Sequence, residues 1–495
     1  MKTNRLFVLS TLLTATLAIS AQTTFDAAKV YEEELNGTAR FVGMGGAMTA
    51  LGSDMSVISR NPAGLGTYRQ SDINLSVSFF GTSVETDPFV SRNSQRTING
   101  RTYYSHNNKS DLIPALDNVS ALLCGYDGGD SYVNFGFSYR RSLNMDRDLD
   151  YIDKFFVPDG NDPTKDYVVY REYKDHQRNK VNNFDFNISC NLSDALYLGW
   201  TLGLISTDTW SEGYFYDYYP EYAKADLEDK AYVVPDYADG GHDYTAVDKM
   251  NSAKGTGWNM ALGLIVRPIQ PLRLGVALKS PTWFKQNLEY SDYLYAYEDV
   301  QFTDENGNVD PFRNSVDYKF SSPWTLNLSA GLTVMQTAFG VEYERHFTQR
   351  SSLSIGNTKM ESQGAMDFKD YSSLRVGMEQ NIDKVSLRLG YSLSESMFKD
   401  DAAIYLGDSE FNAGTAGNIG RNDFQVDRMG KRQNFTCGIG YCSEPDGDDT
   451  QFYFDVAYVH GVRNSIVNIN EYIEDIDVKY NYKTDKVLLT VGWCF

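Results

Sequence analysis

From Ser71 onward the chain alternates apolar and polar residues with a period of two. Ile73, Leu75, Val77 and Phe79 interleave with Asn74, Ser76 and Ser78. Residues 133–139, 184–192, 196–204, 258–266, 272–278 and 324–334 repeat the pattern. So do 339–343, 374–378, 385–393, 435–441, 452–458 and 487–495. Successive side chains on a strand point to opposite faces, so each run predicts a strand with one apolar and one polar face. With a weaker run at 119–123 the count is about fourteen, an even number as bacterial outer-membrane barrels require.

The connections alternate too. Residues 125–130, 193–194, 268–271, 335–336, 382–383 and 444–449 are short turns, whereas 86–112, 146–180, 218–254, 294–316, 348–370, 399–431 and 467–484 are long, polar and aromatic. A soluble β-sandwich has no reason to sort its loops this way. A transmembrane antiparallel β-barrel does: short turns lie in the periplasm with both termini, and long loops face outward. The expected fold is therefore all-β, a barrel whose apolar face meets lipid. The alternate positions then line the lumen, among them Arg140, Asp185, Arg267, Arg273, Glu342, Arg375, Glu379, Arg388 and Asp455. Interior charges of both signs are general in such barrels, and their expected work is to pin a plug rather than to touch cargo.

Residues 37–66 break the alternation. They are rich in Gly, Ala, Ser and Met and end in Asn61-Pro62-Ala63-Gly64. Small residues let backbone pack in a confined space, and Asn-Pro interrupts local structure before the first strand. This stretch reads as a hatch inside the lumen, with Gly43, Gly45, Gly46, Asn61, Pro62, Ala63 and Gly64 as its candidate residues. Lys2 and Arg5 precede an apolar run at 6–18 and small residues at 18–21, the layout of a secretory signal peptide. The expected division is a signal peptide at 1–21, a hatch at 22–70 and the barrel at 71–495.

Composition narrows the function. The net charge of −21 argues against nucleic acid as a partner. No window of eighteen continuous apolar residues predicts a membrane helix, and a barrel strand's signal averages away in a mean hydropathy of −0.42. The five cysteines are odd in number and match no metal module. Gly43-x-Gly45-Gly46 lacks the flanking strand of a dinucleotide turn, and no P-loop, zincin or hydrolase motif occurs. Asp304-x-Asn306-x-Asn308-x-Asp310 has the oxygen spacing of a calcium loop, but its Gly307 is misplaced and no bidentate Glu follows. No nucleophile can be set beside His106, His176, His242, His346 or His460. No catalytic residue, cofactor or metal is expected.

Residues 39–65, ARFVGMGGAMTALGSDMSVISRNPAGL, resemble the N-terminal hallmark of the FadL/TodX family of outer-membrane transporters for hydrophobic compounds. LRLGVALKSP (272–281) and SPWTLNLSAGL (322–332) resemble its later strands. Bacteroides-type relatives often carry the label hemin receptor. The resemblance implies a fourteen-stranded monomeric barrel closed by an N-terminal hatch, to which Asn61, Pro62 and Ala63 belong. It implies capture of a fatty acid or hydrocarbon at the outer loops. Release would follow through a lateral opening at a kinked strand, for which Gly136 is the candidate because Gly marks bends. Outer-membrane lipid and lipopolysaccharide would surround the wall. The alternative is a surface barrel that binds haem or a glycan, or adheres, without transport.

Overall fold

The computed structural model describes residues 30–87, 95–98, 101–104, 107–110, 112–126, 129–158, 166–219, 243–296, 312–355, 358–359, 368–399, 425–446, 450–470 and 475–495. The expected signal peptide, His106, His242 and the run 304–310 lie outside them.

Period-two alternation becomes a ring of fourteen antiparallel strands. The first six are β1 Asp72–Asp87, β2 Ile113–Cys124, β3 Ser131–Pro158, β4 Asp166–Leu192, β5 Leu196–Tyr219 and β6 Asp243–Ile269. Two strands are broken at a proline: β7 is Leu272–Lys279 and Trp283–Ala296, and β8 is Phe312–Ser321 and Thr325–Val334. The break in each holds a Ser-Pro pair, Ser280-Pro281 and Ser322-Pro323, where proline cannot donate to the ladder. After them come β9 (Thr337–His346, continued at Ser352–Ile355), β10 Tyr371–Ile382 and β11 Val385–Ser394. The ring ends with β12 (Gln425–Arg428 and Arg432–Cys442), β13 Gln451–Asn470 and β14 Asp475–Cys494.

β14 pairs with β1 from Asp72↔Cys494 to Asp87↔Lys479, which closes the ring. Ser71 and Phe495 exchange both backbone hydrogen bonds, each 2.9 Å. Ser193, Asp194, Met335 and Asp383 take positive φ in the short turns, as tight hairpins demand.

The two faces of the wall are inverted relative to a soluble protein. Leu75, Phe135, Phe186, Leu262, Leu328, Leu389 and Phe454 are exposed on the outside. Their polar alternates Asn74, Asn134, Asn187, Asn327 and Asp455 are buried within. Trp258 and Trp283 sit side by side on the outside, ring centroids 4.5 Å apart, above eleven residues of β6 strand, Asn259–Ile269. That span matches the roughly 9–11 residues a strand needs to cross hydrocarbon. The chain is a multi-pass barrel of the outer-membrane type, with an apolar band on its outer face.

Residues 30–70 lie inside the ring. They hold a short helix α1 (Ala39–Gly43) and 3-10 turns at Met55–Ser59 and Pro62–Thr67. Each starts on a polar cap: Thr38 accepts the Phe41 N–H, Asp54 that of Ser56, and Asn61 that of Ala63, with Pro62 at the first helical position. Gly45 (φ 62°) and Gly46 (φ 80°) reverse the chain after α1 in the left-handed region. Phe41, Met44, Met48, Met55, Ile58 and Leu65 form a fully buried apolar core inside a polar-walled lumen.

Candidate functional site

A row of glycines on the inner wall positions this segment. Gly331, Gly340, Gly377 and Gly390 are register partners on β8 to β11, each opposite the next. A Cβ at Gly340 would lie 1.8 Å from Ala47 O, at Gly377 2.2 Å from Met44 O, and at Gly390 2.1 Å from Gly45 N. Across the lumen Gly199 and Gly263 are also partners, and a Cβ there would strike Pro62, Ala63 or Asn61. The segment thus lies backbone against backbone in a groove that side chains would fill.

Charges fasten it. Arg40 makes a two-pronged pair with Glu379 (2.9 and 2.8 Å), and Arg388 joins Glu379 (2.6 Å) to Asp455 (2.5 Å). Arg375 bonds Glu342 (2.6 Å), which also accepts from Thr49 of the segment (2.8 Å). Arg140 donates to Ser59 Oγ (2.8 Å), and Arg273 to the Leu51 carbonyl. Asp185 is buried on β4 with its Oδ2 unpartnered among the described residues. Arg267, by contrast, sits at a strand end and donates to the Gln270 carbonyl (3.0 Å). Among the named hatch residues, Gly43 packs on Gly438 and Arg388, and Gly64 on Val57 and Gly52. Asn61 donates to Leu264 O (3.4 Å), and the Pro62 carbonyl accepts from Asn187 (3.4 Å).

The segment's leading residues were not singled out by sequence. Glu32, Glu33 and Glu34 look like a solvated acidic run, yet all three are enclosed. Glu32 pairs with Arg463, and Glu33 with Lys279 (2.5 Å) and Arg140 (3.6 Å). Glu34 accepts from the Asn144 N–H (3.3 Å). Burial alone would raise the Glu33 pKa, but Lys279, Arg140 and Arg60 outweigh it and hold the carboxyl well below its usual value. The signal was present: Lys279, Arg463 and Lys486 share the parity of inward-facing Ala277, Asp455 and Thr490 on their strands. What the sequence lacks is any hint that cations and glutamates hundreds of positions apart share one space.

One length of wall is incomplete. β2 pairs with β3 only from Asn118↔Arg140 to Cys124↔Asn134, and β2 bulges at Asp117 while β3 loses register between Arg141 and Leu143. Beyond the break the parity of β3 switches, and Leu143, Met145 and Arg147 turn into the lumen. The free edge of β3 is met by the segment instead. Asn36 donates to Arg141 O (2.6 Å) and Glu34 N–H to Ser142 O (2.8 Å). Asn36 also reaches the bulged Asp117 (2.6 Å), which Lys486 holds from β14 (2.9 Å). Gly136 lies below this break in an unbroken ladder between Leu122 and Asn187. Its missing side chain makes room for Leu65, whose Cδ1 would lie 2.8 Å from a Cβ. The irregularity of β3 is at Ser142.

Two cavities flank residues 32–35. One is walled by Tyr31, Phe284, Tyr371 and His346 with many hydroxyl and amide side chains, and both Ser-Pro breaks open onto it. The other is more apolar, bounded by Leu35, Leu143, Met145, Met429, Val459 and Tyr482. Glu32 and Arg432 stand between the two.

This closed ring with a folded N-terminal segment inside it superposes on known barrels. The structure of a Pseudomonas aeruginosa FadL homologue matches with a TM-score of 0.56 at 13% identity, over 94% of this chain and 99% of that one. The Pseudomonas putida toluene transporter TodX matches with a TM-score of 0.55 at 12% identity, over 93% and 99%. The fold is that of the FadL-type channels. No family model and no curated protein matches the chain by sequence. At this identity the FadL-type likeness fixes architecture, and the lumen charges and cavities are this chain's own.

Proposed function

We propose that the protein is a passive outer-membrane channel for hydrophobic small molecules, long-chain fatty acids or hydrocarbons among them, with residues 22–70 as its hatch. One observation carries this reading: among the described residues, the edge of β3 that β2 leaves free at Arg141 and Ser142 bonds to Asn36 and Glu34 of the segment inside. Withdrawing that segment would join the lumen to the membrane sideways, a path suited to a solute that prefers hydrocarbon to water. Each buried CH₂ favours that transfer by about 0.8 kcal/mol, so a gradient alone can drive uptake. The lateral opening belongs at the Asp117 and Ser142 breaks rather than at Gly136. Loss of fatty-acid and hydrocarbon uptake on deletion of the gene, restored by the intact chain, is the expected result. Unchanged uptake would sink the reading.

A second reading is a surface barrel that binds a ligand without transport. It draws on β3, β4 and β6, which run 28, 27 and 27 residues and stand well above the bilayer. Pull-down of haem or glycan by the full chain, lost on shortening these hairpins while uptake persists, would favour it. No enzymatic role is proposed.

A further inference from the structure

The first cavity, walled by Tyr31 and Phe284, sets the chemistry of the cargo's head. Three cations border it, and each already faces a carboxylate, Glu32 being shared with Arg463 and Glu33 with Arg140. Lys279 holds Glu33 at 2.5 Å, Arg375 holds Glu344 at 2.5 Å, and Arg432 faces Glu32 at 4.0 Å. Formal charge on its wall therefore balances, three against three, with His346 left over. An entering carboxylate would lose its hydration and find no free counter-charge, a cost of several kcal/mol in a buried site. A bare hydrocarbon would fare poorly for the opposite reason, since it would cover polar groups and leave them unbonded.

What remains uncharged in the wall both donates and accepts. Asn183 and Asn259, together with Thr282, Thr325, Ser373 and Ser394, bring amides and hydroxyls to the space. Flat surfaces stand beside them: the His346 and Tyr371 rings are stacked at 4.2 Å and 3°, and Phe284 stacks on Phe320 at 4.6 Å. The buried Nε of Arg432, between the two cavities, has no partner among the described residues and can donate. Atom-free space is about 780 Å³, its open mouth included. Directly across residues 32–35 lies the more apolar cavity, against the turned-in Leu143 and Met145.

We propose that the lumen takes an amphiphile with a neutral, hydroxyl-rich head, a sugar-headed lipid or glycoside, its head in the first cavity and its tail in the second. A sugar ring offers hydroxyls that donate and accept in several directions and an apolar face that lies on aromatic rings. Neither a carboxylate nor an alkane supplies both. This rests on the channel reading and narrows its cargo.

The experiment uses the full chain in lipid nanodiscs, free of sugar detergents, titrated calorimetrically with octyl glucoside, octanoate and octanol below their micelle concentrations. The glucoside should bind at least tenfold more tightly than the other two, and Asn259→Ala should lower its affinity alone. Glu33→Gln releases Lys279 from its partner and should raise octanoate affinity severalfold, which a merely structural Glu33 would not do. Equal or tighter binding of octanoate by the unaltered chain overturns the assignment, as does an absence of binding by all three. Uptake of octanol by cells carrying the intact barrel is scored separately, so failure of the head-group assignment is told apart from failure of the channel.

Discussion

Arg40 and Glu379 face each other across the boundary between the enclosed segment and the wall, their four polar atoms matched in two parallel bonds of 2.9 and 2.8 Å. Glu379 is buried and also serves Arg388, so its loss takes a carboxylate from two guanidiniums at once, leaving Arg388 with Asp455 and Arg40 with the Ser53 carbonyl. Glu379→Gln should weaken the segment's attachment by about 2 to 4 kcal/mol, discounted from a fully buried pair because Arg40 keeps some water. Faster hydrogen exchange of residues 38–53, with the barrel still resistant to detergent at room temperature, is the expected signature.

The glycine row gives a steric test. At Gly340 a side chain would begin 1.8 Å from the Ala47 carbonyl, backbone that cannot swing aside. Gly340→Val should displace the segment while leaving β9 content with a β-branched residue on its ladder. Planar-bilayer recordings should show larger or more frequent openings than the unaltered chain. A closed, quiet barrel would mean that the segment is not what fills the bore.

At the incomplete seam, Lys486 is buried with its ammonium 2.9 Å from Asp117 and 3.0 Å from Asn36. Asp117→Ala removes the one carboxylate bonded to that ammonium among the described residues and should cost about 3 to 5 kcal/mol, whereas Lys486→Met in the same background should recover much of it. Denaturant unfolding of the single and double variants measures the coupling. Equal stability of the single variants and the parent would refute a sealing role for this trio.

Glu33 fixes the pH response of the segment. Its carboxyl is held well below the value of about 4.3 expected in an unfolded chain. The contribution is therefore whole above that unfolded value and is lost as pH falls through the depressed one. Attachment through Glu33 should persist from pH 7 to about pH 4.5, with release only in stronger acid. Glu33→Gln should abolish that acid-dependent step. Exchange rates of residues 30–36 measured across this range provide the check.

Much of the architecture could be read from alternation. Runs such as 385–393 assign faces without help from packing, and the alternation of loop lengths orients the ring. Two kinds of feature escaped. The strands β3 to β6 run past the apolar band into polar sequence, where the membrane no longer enforces alternation and the pattern fades. Glu32 to Glu34 escaped because local sequence cannot distinguish an acidic run in water from one met by Lys279, Arg140 and Arg463. Gly136 drew notice as a bend, while the true irregularity at Ser142 carries no glycine and arises from a shift of pairing on one side of β3. The inner glycines were visible in each strand, but their meaning depends on register. Only side by side do they become a groove.

Closure between β1 and β14 has a consequence for biogenesis. The residue that begins the wall directly follows the enclosed segment, and the strand that completes the ring comes after the other thirteen in chain order. In a finished cylinder, backbone packed this closely against the inner glycines would have to be slid into contacts that leave no room for a side chain. The wall must therefore be cast around its own leading stretch, which serves the assembling sheet as a mandrel.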